Sequence, residues 1–379
     1  MKILLTGGGT GGHFYPIVAV AEELNLLTKE NHLLRPELFY MSTESYNEGI
    51  LYENSITFRQ IRAGKIRRAI SVQNAVKNFF DLFNIGFGAI GALGAVWNIY
   101  PDVVFGKGGY ASFPALLAAR LLRIPVVIHE SDTIPGKVNL WAGKFAKKIA
   151  ISYPESAKYF PEGLTACTGN PIRKDLIEPL SVGAHEFLHL EKDMPVVLVL
   201  GGSLGAQKIN ETIIGTLPEL VSKYQIIHQT GKRNIKIVKE TADIVLEKNP
   251  HKDRYKPFDY LNLLSLRMAA GAADIIISRA GSAIFEIACW AKPSIIIPIP
   301  EPTSHDQRTN AYAYARSGAC EVVEEKNLTG HILVSEIDRI LNNPEENARM
   351  KLAAEKFTRK DSARLIAREI LAIGLEHEK

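Results

Sequence analysis

Apolar residues recur along the chain in two alternating rhythms. Short continuous runs at residues 3–6, 37–41, 102–105 and 125–129 are separated by stretches with an apolar position every third or fourth residue, such as 17–27 and 113–122. Runs at 196–200, 225–228, 274–278 and 294–298 repeat the rhythm in the second half. A strand covered on both faces is apolar throughout, whereas a surface helix is apolar along one stripe, so the two rhythms predict buried strands and amphipathic helices. Strands spaced by helices imply βαβ units and parallel sheets. The rhythm lapses over 183–193 and restarts after Met194-Pro195, which predicts two doubly wound α/β domains with a changeover near 165–173. Residues 361–375 have the pattern of a closing amphipathic helix, with Asp361 or Ser362 as its cap.

Composition agrees with two globular domains. A length of 379 residues exceeds what one hydrophobic core usually supports, and 46% apolar with 23% charged residues is ordinary for a soluble protein. The net charge of +4 is too mild for a generic nucleic-acid binder, so no nucleic-acid partner is expected. Cys167, Cys289 and Cys320 form no C-x-x-C pair, which argues against a zinc site or disulfide framework and suits a reducing compartment. Only Met1 and Lys2 precede the first strand, so no secretory leader is expected. Residues 82–100 are uncharged and nearly long enough to span a bilayer, but four glycines, two asparagines and the following Pro101 favour a helix packed inside a domain.

Glycine-rich turns follow two strands in each half: LLTGGGTGGH, VVFGKGGYAS, LVLGGSLGAQ and IISRAGSAIFE. Ligands of open parallel sheets sit beyond the carboxyl ends of the strands, where glycine lets backbone approach a phosphate and the next helix offers free N–H groups. Two such turns per half predict a cleft between two facing domains. Gly7, Gly9 and Gly12 satisfy the dinucleotide pattern G-x-G-x-x-G, yet the acid that should hold a ribose is missing: Glu22 and Glu23 fall on the first helix and Glu44 comes late. His13 has no part in that scheme. A histidine there is either a general base or a residue that packs at the helix start.

In the second half, Arg279 offers a forked donor beside a helix start. Glu286 lies four residues after Ser282, outside a capping box, and suits the hydroxyls of a ribose. The loop 298–310 carries His305, Asp306, Gln307 and Asn310, groups that read a hydroxylated ligand. At the end of another strand, His129 and Glu130 either bind substrate or tie loops together. No D-x-D or P-loop motif occurs, so a bound diphosphate would be neutralised by arginine and helix dipoles; no metal and no cofactor are expected. Gly201-Gly202-Ser203-Leu204-Gly205 fits G-x-S-x-G by letter, yet it is read as a phosphate-facing glycine turn and not as a nucleophile elbow.

Taken in order, TGGGTGGHFYP, GKGGYASFP, HESDTIPG, TGNPIR, GGSLGAQ, HQTGK, SRAGSAIFE and HDQRTNA resemble the MurG family, the UDP-N-acetylglucosamine-dependent transferases that complete lipid II for peptidoglycan. The resemblance implies a GT-B fold: a Rossmann-like domain at 1–165 on the acceptor and membrane side, a second at 166–360 for UDP-GlcNAc, and a helix at 361–379 returning to the first. It places Arg173 and Ser203 on the diphosphate, Glu286 on the ribose and Gln307 on the sugar, with Arg279, Gly281 and Ser282 presenting a helix start. Thr10, Gly11, Gly12, Leu204, Gly205 and Asn310 complete the UDP-GlcNAc set. Gly9, Gly108, Gly109, Tyr110 and His129 would face the lipid I acceptor, undecaprenyl-diphospho-MurNAc-pentapeptide. His13 would be the base for the acceptor 4-hydroxyl, with Glu130 and Asp132 as rivals; some relatives have asparagine in place of Asp132.

The implied partners are UDP-GlcNAc, lipid I, the cytoplasmic membrane surface contacted peripherally, and other cell-wall synthesis proteins. Residues 63–83 combine Lys65, Arg67, Arg68 and Lys77 with Ile66, Phe79, Phe80, Leu82 and Phe83, a mixture suited to an anionic interface. The rival readings are a related glycolipid transferase, a UDP-GlcNAc epimerase of the same fold, a dehydrogenase, and a non-catalytic sugar-nucleotide binder.

Overall fold

A computed structural model of the chain describes residues 1–8, 10–64, 72–202, 206–300 and 307–377, and over 72–85 and at 377 the backbone alone. It divides into two compact units, Met1–Lys174 with Arg359–Lys379, and Asp175–Thr358. In the first, the strands β1 (Lys2–Thr6), β2 (Glu37–Ser42), β3 (Ile56–Gln60), β4 (Val103–Gly106), β5 (Val126–Glu130), β6 (Lys148–Ile151) and β7 (Thr165–Cys167) form one sheet in the order β3-β2-β1-β4-β5-β6-β7. In the second, β8 (Val196–Leu200), β9 (Gln225–Gln229), β10 (Tyr255–Phe258), β11 (Ile275–Ser278), β12 (Ser294–Ile296) and β13 (Cys320–Val322) are ordered β10-β9-β8-β11-β12-β13. The described pairings in both sheets are parallel.

Alternation along β1 shows how the first sheet is covered. Ile3 and Leu5 join the core built by the helices Gly11–Glu30 and Ser362–His377, whereas Leu4 joins Ala92, Val96, Ala115 and Leu116 on the other face. Each such aliphatic side chain contributes about 1.5–3 kcal/mol on full burial. Both faces are therefore apolar, which is why the strands read as continuous runs. In each sheet the strand order reverses beside the first strand, between β1 and β4 and between β8 and β11. These are the topological switch points at which an open parallel sheet leaves a crevice for ligand.

The leading segment of the first unit ends at Lys174, just past the changeover expected near 165–173. Thr165–Cys167 pairs with β6, and the Arg173 guanidinium stacks on the Tyr15 ring 4.4 Å from its centroid, so both belong to that unit. The helix Ser362–His377 also belongs there, with Ile366, Ile370 and Leu371 in one core with Ile17 and Leu24. Arg364 pairs with Glu23 and Glu30 of the Gly11–Glu30 helix, and the Ser362 hydroxyl donates to the Gly169 carbonyl at 2.7 Å. No helix among the described residues is long and apolar enough to cross a membrane.

Among the described residues, each unit holds one histidine of zero exposure, His129 in β5 and His228 in β9. His228 is held between the Tyr255 hydroxyl at 2.8 Å and Asn210 Oδ1 at 3.0 Å. Burial pushes its pKa down to about 3, and burial with the nearby Lys107 charge takes His129 well below the ordinary 6.5. Below pH 6.5 the unfolded chain thus binds protons that the native state refuses, so stability is full above that pH and falls as pH drops. Between pH 7.5 and 5.0 we expect His228 to account for a loss of about 2 kcal/mol, with His129 adding to it in the same direction. Urea midpoints at the two pH values check this, and equal midpoints contradict it.

Candidate functional site

The switch point of the first sheet is built from two glycine turns. After β1 the chain passes through Gly7 and Gly8 into the helix Gly11–Glu30, and after β4 through Lys107, Gly108 and Gly109 into a short turn at Tyr110–Ser112. The turns are in contact, and side chains there would collide. A Cβ on Gly8 would lie 2.4 Å from Ser42 Oγ, and one on Gly109 would lie 2.9 Å from the Gly8 carbonyl oxygen. Gly109 has φ 82° and ψ 161°, a region open essentially to glycine alone. The Tyr40 hydroxyl fixes the first turn by donating to the Gly7 carbonyl at 3.0 Å.

His13 stands where these turns meet. Its Nδ1 lies 3.0 Å from Thr10 Oγ1, and its Cε1–Nε2 edge comes within 3.5 Å of the Cβ position of Gly109. If Nδ1 carries the proton and donates to Thr10, Nε2 keeps a lone pair beside the second turn. Thr10 is exposed, while Gly11, Gly12 and His13 are half-buried, as are Gly109 and Tyr110. Gly9 lies outside the described residues. The Tyr46 hydroxyl comes within 2.7 Å of the Cβ position of Gly11, and Tyr46 rests on Phe14 and Tyr15.

Beneath the second turn lies a polar cluster that changes two expectations. Glu130 is buried, and its carboxylate accepts from the backbone N–H groups of Ser131 (2.8 Å), Asp132 (3.0 Å) and Gly136 (3.0 Å) and from Asn139 Nδ2 (2.9 Å). Four donors on two oxygens occupy the lone pairs of an ionised carboxylate. Glu130 therefore fastens the turn 131–136, which leaves it no free lone pair for proton transfer and corrects its expected catalytic part. His129 is also corrected. It has zero exposure, and its Nε2 lies 3.0 Å from the Gly169 carbonyl and 3.3 Å from Ser152 Oγ, because β5 is buried along its whole length. Asp132 is half-buried at the surface end of this turn.

Two residues of the cluster carried no signal in the sequence reading. Asn139 sits under Gly108, where a Cβ would come 2.7 Å from its Nδ2. Lys107 is 1% exposed, and its ammonium has no hydrogen-bond partner among the described residues. Burial pushes its pKa down to about 8, against the opposing pull of Glu130 and Asp132. Strand-end lysines are common, so only the packing around this one distinguishes it.

In the second unit the glycine turn after β8 begins at Gly201 and Gly202; Ser203, Leu204 and Gly205 lie outside the described residues. The turn after β11 leads through Arg279, Ala280, Gly281 and Ser282 into the helix Ala283–Cys289, with half-buried Glu286 in its first turn. A second helix, Gln307–Arg316, starts beside it. Gln307 Oε1 accepts from the Ile299 N–H at 3.2 Å, and its Nε2 lies 3.8 Å from the Cβ position of Gly281. His305 and Asp306 lie outside the described residues.

Two donor-side expectations receive different tasks here. The Arg279 guanidinium pairs with Glu325 at 2.5 Å and donates to the Ile297 carbonyl at 3.2 Å, so among the described residues its fork holds the end of β12. Asn310 is buried and donates to the Ala280 carbonyl at 3.3 Å, tying the second helix to the β11 turn. Arg173, also expected on the donor, lies in the first unit, 9% exposed, with Nε lacking a partner among the described residues.

Comparison with known proteins agrees with this architecture. The profile of the glycosyltransferase family 28 N-terminal domain matches residues 3–151, and that of the family 28 C-terminal domain matches residues 196–366. The chain is 35% identical over 372 residues to UDP-N-acetylglucosamine–N-acetylmuramyl-(pentapeptide) pyrophosphoryl-undecaprenol N-acetylglucosamine transferase 2 of Bacillus thuringiensis subsp. konkukian, covering 97% of this chain and 99% of that one. Among solved structures, Acinetobacter baumannii MurG superposes with a TM-score of 0.72 at 24% identity, covering 98% of this chain and 99% of that one. A UDP-GlcNAc 2-epimerase from Neisseria meningitidis bound to UDP-GlcNAc gives 0.65 at 15% identity, covering 98% and 100%. The two structural likenesses show a shared GT-B fold; the whole-length sequence identity favours the transferase over the epimerase.

Proposed function

As a member of glycosyltransferase family 28 and, within it, of the MurG transferases, the chain is a hexosyltransferase that moves GlcNAc from UDP-GlcNAc to lipid I, and we propose that its two switch points divide the substrates between them. The observation that carries the division is that both sheets place their glycine turns at the reversal of strand order, with His13 at only one of them. The second unit takes UDP-GlcNAc: Glu286 receives ribose hydroxyls, Gln307 Nε2 reads the sugar, and Gly281 and Ser282 leave room for the diphosphate. Ser203, Leu204 and Gly205 belong to the same set. The first unit takes the acceptor over Gly108, Gly109 and Tyr110.

The chemistry is a single displacement. The acceptor 4-hydroxyl attacks the anomeric carbon, the bond to the UDP oxygen breaks on the opposite face, and His13 Nε2 takes the hydroxyl proton. General-base assistance contributes about 10²–10⁴-fold. Hydrogen-bond donors fixed in advance at the departing diphosphate stabilise the charge that develops there. The test is transfer of labelled GlcNAc from UDP-GlcNAc to a lipid I analogue, with and without EDTA. Labelled lipid II with matching UDP release in both arms supports the reading. Conversion of UDP-GlcNAc to its 2-epimer without acceptor overturns it, and loss of transfer in EDTA overturns its metal-free form.

We further read the protein as peripheral on the cytoplasmic face of the membrane, where a polyprenyl-anchored acceptor is met. Residues 65–71, and the side chains up to 85, lie outside the described residues, so the expected basic-aromatic surface at 63–83 is not described. The continuation of the same helix, Val72–Ile99, presents Phe87, Ile90 and Trp97 outward, 62%, 71% and 63% exposed. Leu121, also exposed, ends the neighbouring helix Phe113–Leu121, close in sequence to exposed Arg120 and Arg123. An apolar stripe with cations at hand suits an anionic interface. Removing one large apolar contact forfeits about 1.5–3 kcal/mol, so Ile90→Asp should weaken sedimentation with phosphatidylglycerol vesicles at least about tenfold. Unchanged sedimentation contradicts this docking face.

A further inference from the structure

Lys107 is the first residue after β4, at the switch point itself: its N–H donates to the Thr6 carbonyl at 2.8 Å, joining the ends of β4 and β1. Its ammonium is 1% exposed and has no hydrogen-bond partner among the described residues. Burying a charge without hydrogen bonds opposes folding, and methionine would fill similar volume without that cost. Stability therefore does not account for a lysine here.

Its surroundings do. The carboxylates whose fields reach it are Glu130, at the end of β5, and Asp132, in the following turn; His129 of β5 is the third titratable group beside it, and His13 flanks neighbouring Gly109 from the first helix. Glu130 holds the turn 131–136 and Asn139 through four N–H donors, an arrangement that needs the ionised form, because a protonated oxygen would face a donor. Asn139 in turn packs directly beneath Gly108. The Lys107 charge opposes the effect of burial on this anion.

We propose that Lys107 is a positioning residue of the transfer reaction: its buried ammonium sustains the Glu130 carboxylate, which fastens the turn 131–136 and Asn139 beneath Gly108 in the shape that receives the acceptor. The inference rests on the acceptor assignment made above for the first unit. Lys107 touches neither substrate and acts through Glu130.

The experiment compares wild type with Lys107→Met and Lys107→Gln as full-length enzymes in the GlcNAc transfer assay. Both variants should remain folded, with a single cooperative melting transition. They should lower kcat/KM for the acceptor about tenfold or more, which is about 1.4 kcal/mol, with KM for UDP-GlcNAc unchanged. The acidic limb of the acceptor kcat/KM profile should move to higher pH, because burial raises the Glu130 pKa and Lys107 opposes that rise.

Acceptor kinetics and pH profile equal to wild type in a folded variant overturn the inference, as does an effect confined to KM for UDP-GlcNAc. Loss of the fold in both variants also overturns it, since it would make the lysine a structural requirement. Absence of transfer by wild type itself strikes instead at the functional assignment, and the two failures are thereby distinguished.

Discussion

Replacing His13 by alanine is expected to lower turnover about 10²–10⁴-fold while leaving UDP-GlcNAc binding and the melting temperature near wild type. The fold should tolerate the change because His13 is half-buried in the first turn of the helix Gly11–Glu30, where alanine is the better helix former. The reaction should not tolerate it, because Nε2 is the side-chain lone pair that Thr10 can orient beside Gly109. Thr10→Val, which keeps the shape but removes the orienting hydroxyl, should cost less, about tenfold. Single-turnover rates with saturating UDP-GlcNAc measure both. If His13→Ala keeps wild-type turnover, the base lies elsewhere; Asp132 is then the residue to replace, since the oxygens of Glu130 are already taken by four donors.

The second large effect is expected from a single methyl group. Gly109→Ala would force an alanine into φ 82° and ψ 161° with its Cβ 2.9 Å from the Gly8 carbonyl oxygen. The conformation alone costs about 1–3 kcal/mol, and the opposing atom is backbone, so relief requires the two glycine turns to separate. For a unit of this size that is a fall of roughly 5–10 °C in melting temperature. Transfer should fall by at least about a hundredfold, because His13 and the acceptor turn would no longer keep their spacing. Gly136→Ala is the control: its φ is −65° and a Cβ there meets nothing within 4 Å. Calorimetry and the transfer assay on the pair decide the matter. A Gly109 variant that melts and turns over like the Gly136 variant contradicts the argument.

The sequence rhythm revealed the centre of each sheet and missed its margins. The eight apolar runs correspond to β1, β2, β4, β5, β8, β9, β11 and β12. The strands it passed over are β3, β7, β10 and β13, which form the four sheet edges, and β6, which lies beside one of them. Edge strands are covered less, so they carry mixed residues such as Thr57, Arg59, Lys256 and Glu321 and lose the continuous apolar signature. The glycine turns were legible because few residues other than glycine fit where backbones touch.

The tasks of individual side chains were harder to see. HESD reads the same whether Glu130 transfers a proton or ties a loop; the answer depends on Gly136 and Asn139 folding back onto its carboxylate. Arg279 looks like a phosphate fork until Glu325, 46 positions later, closes on it. Lys107 gave no sign at all, since its significance lies in its burial beside Glu130 and Asp132.

The helix Ser362–His377 has a consequence for how the protein is made. It completes the core that Ile3, Leu5, Ile17 and Leu24 begin, so the first unit lacks one wall until residues 362–377 have left the ribosome. The second unit, continuous from Asp175 to Thr358, has its whole sequence available sooner. Synthesis therefore leaves the unit carrying His13 to finish last, and a chain cut short near residue 358 would expose an unfinished apolar face to the cell's proteases.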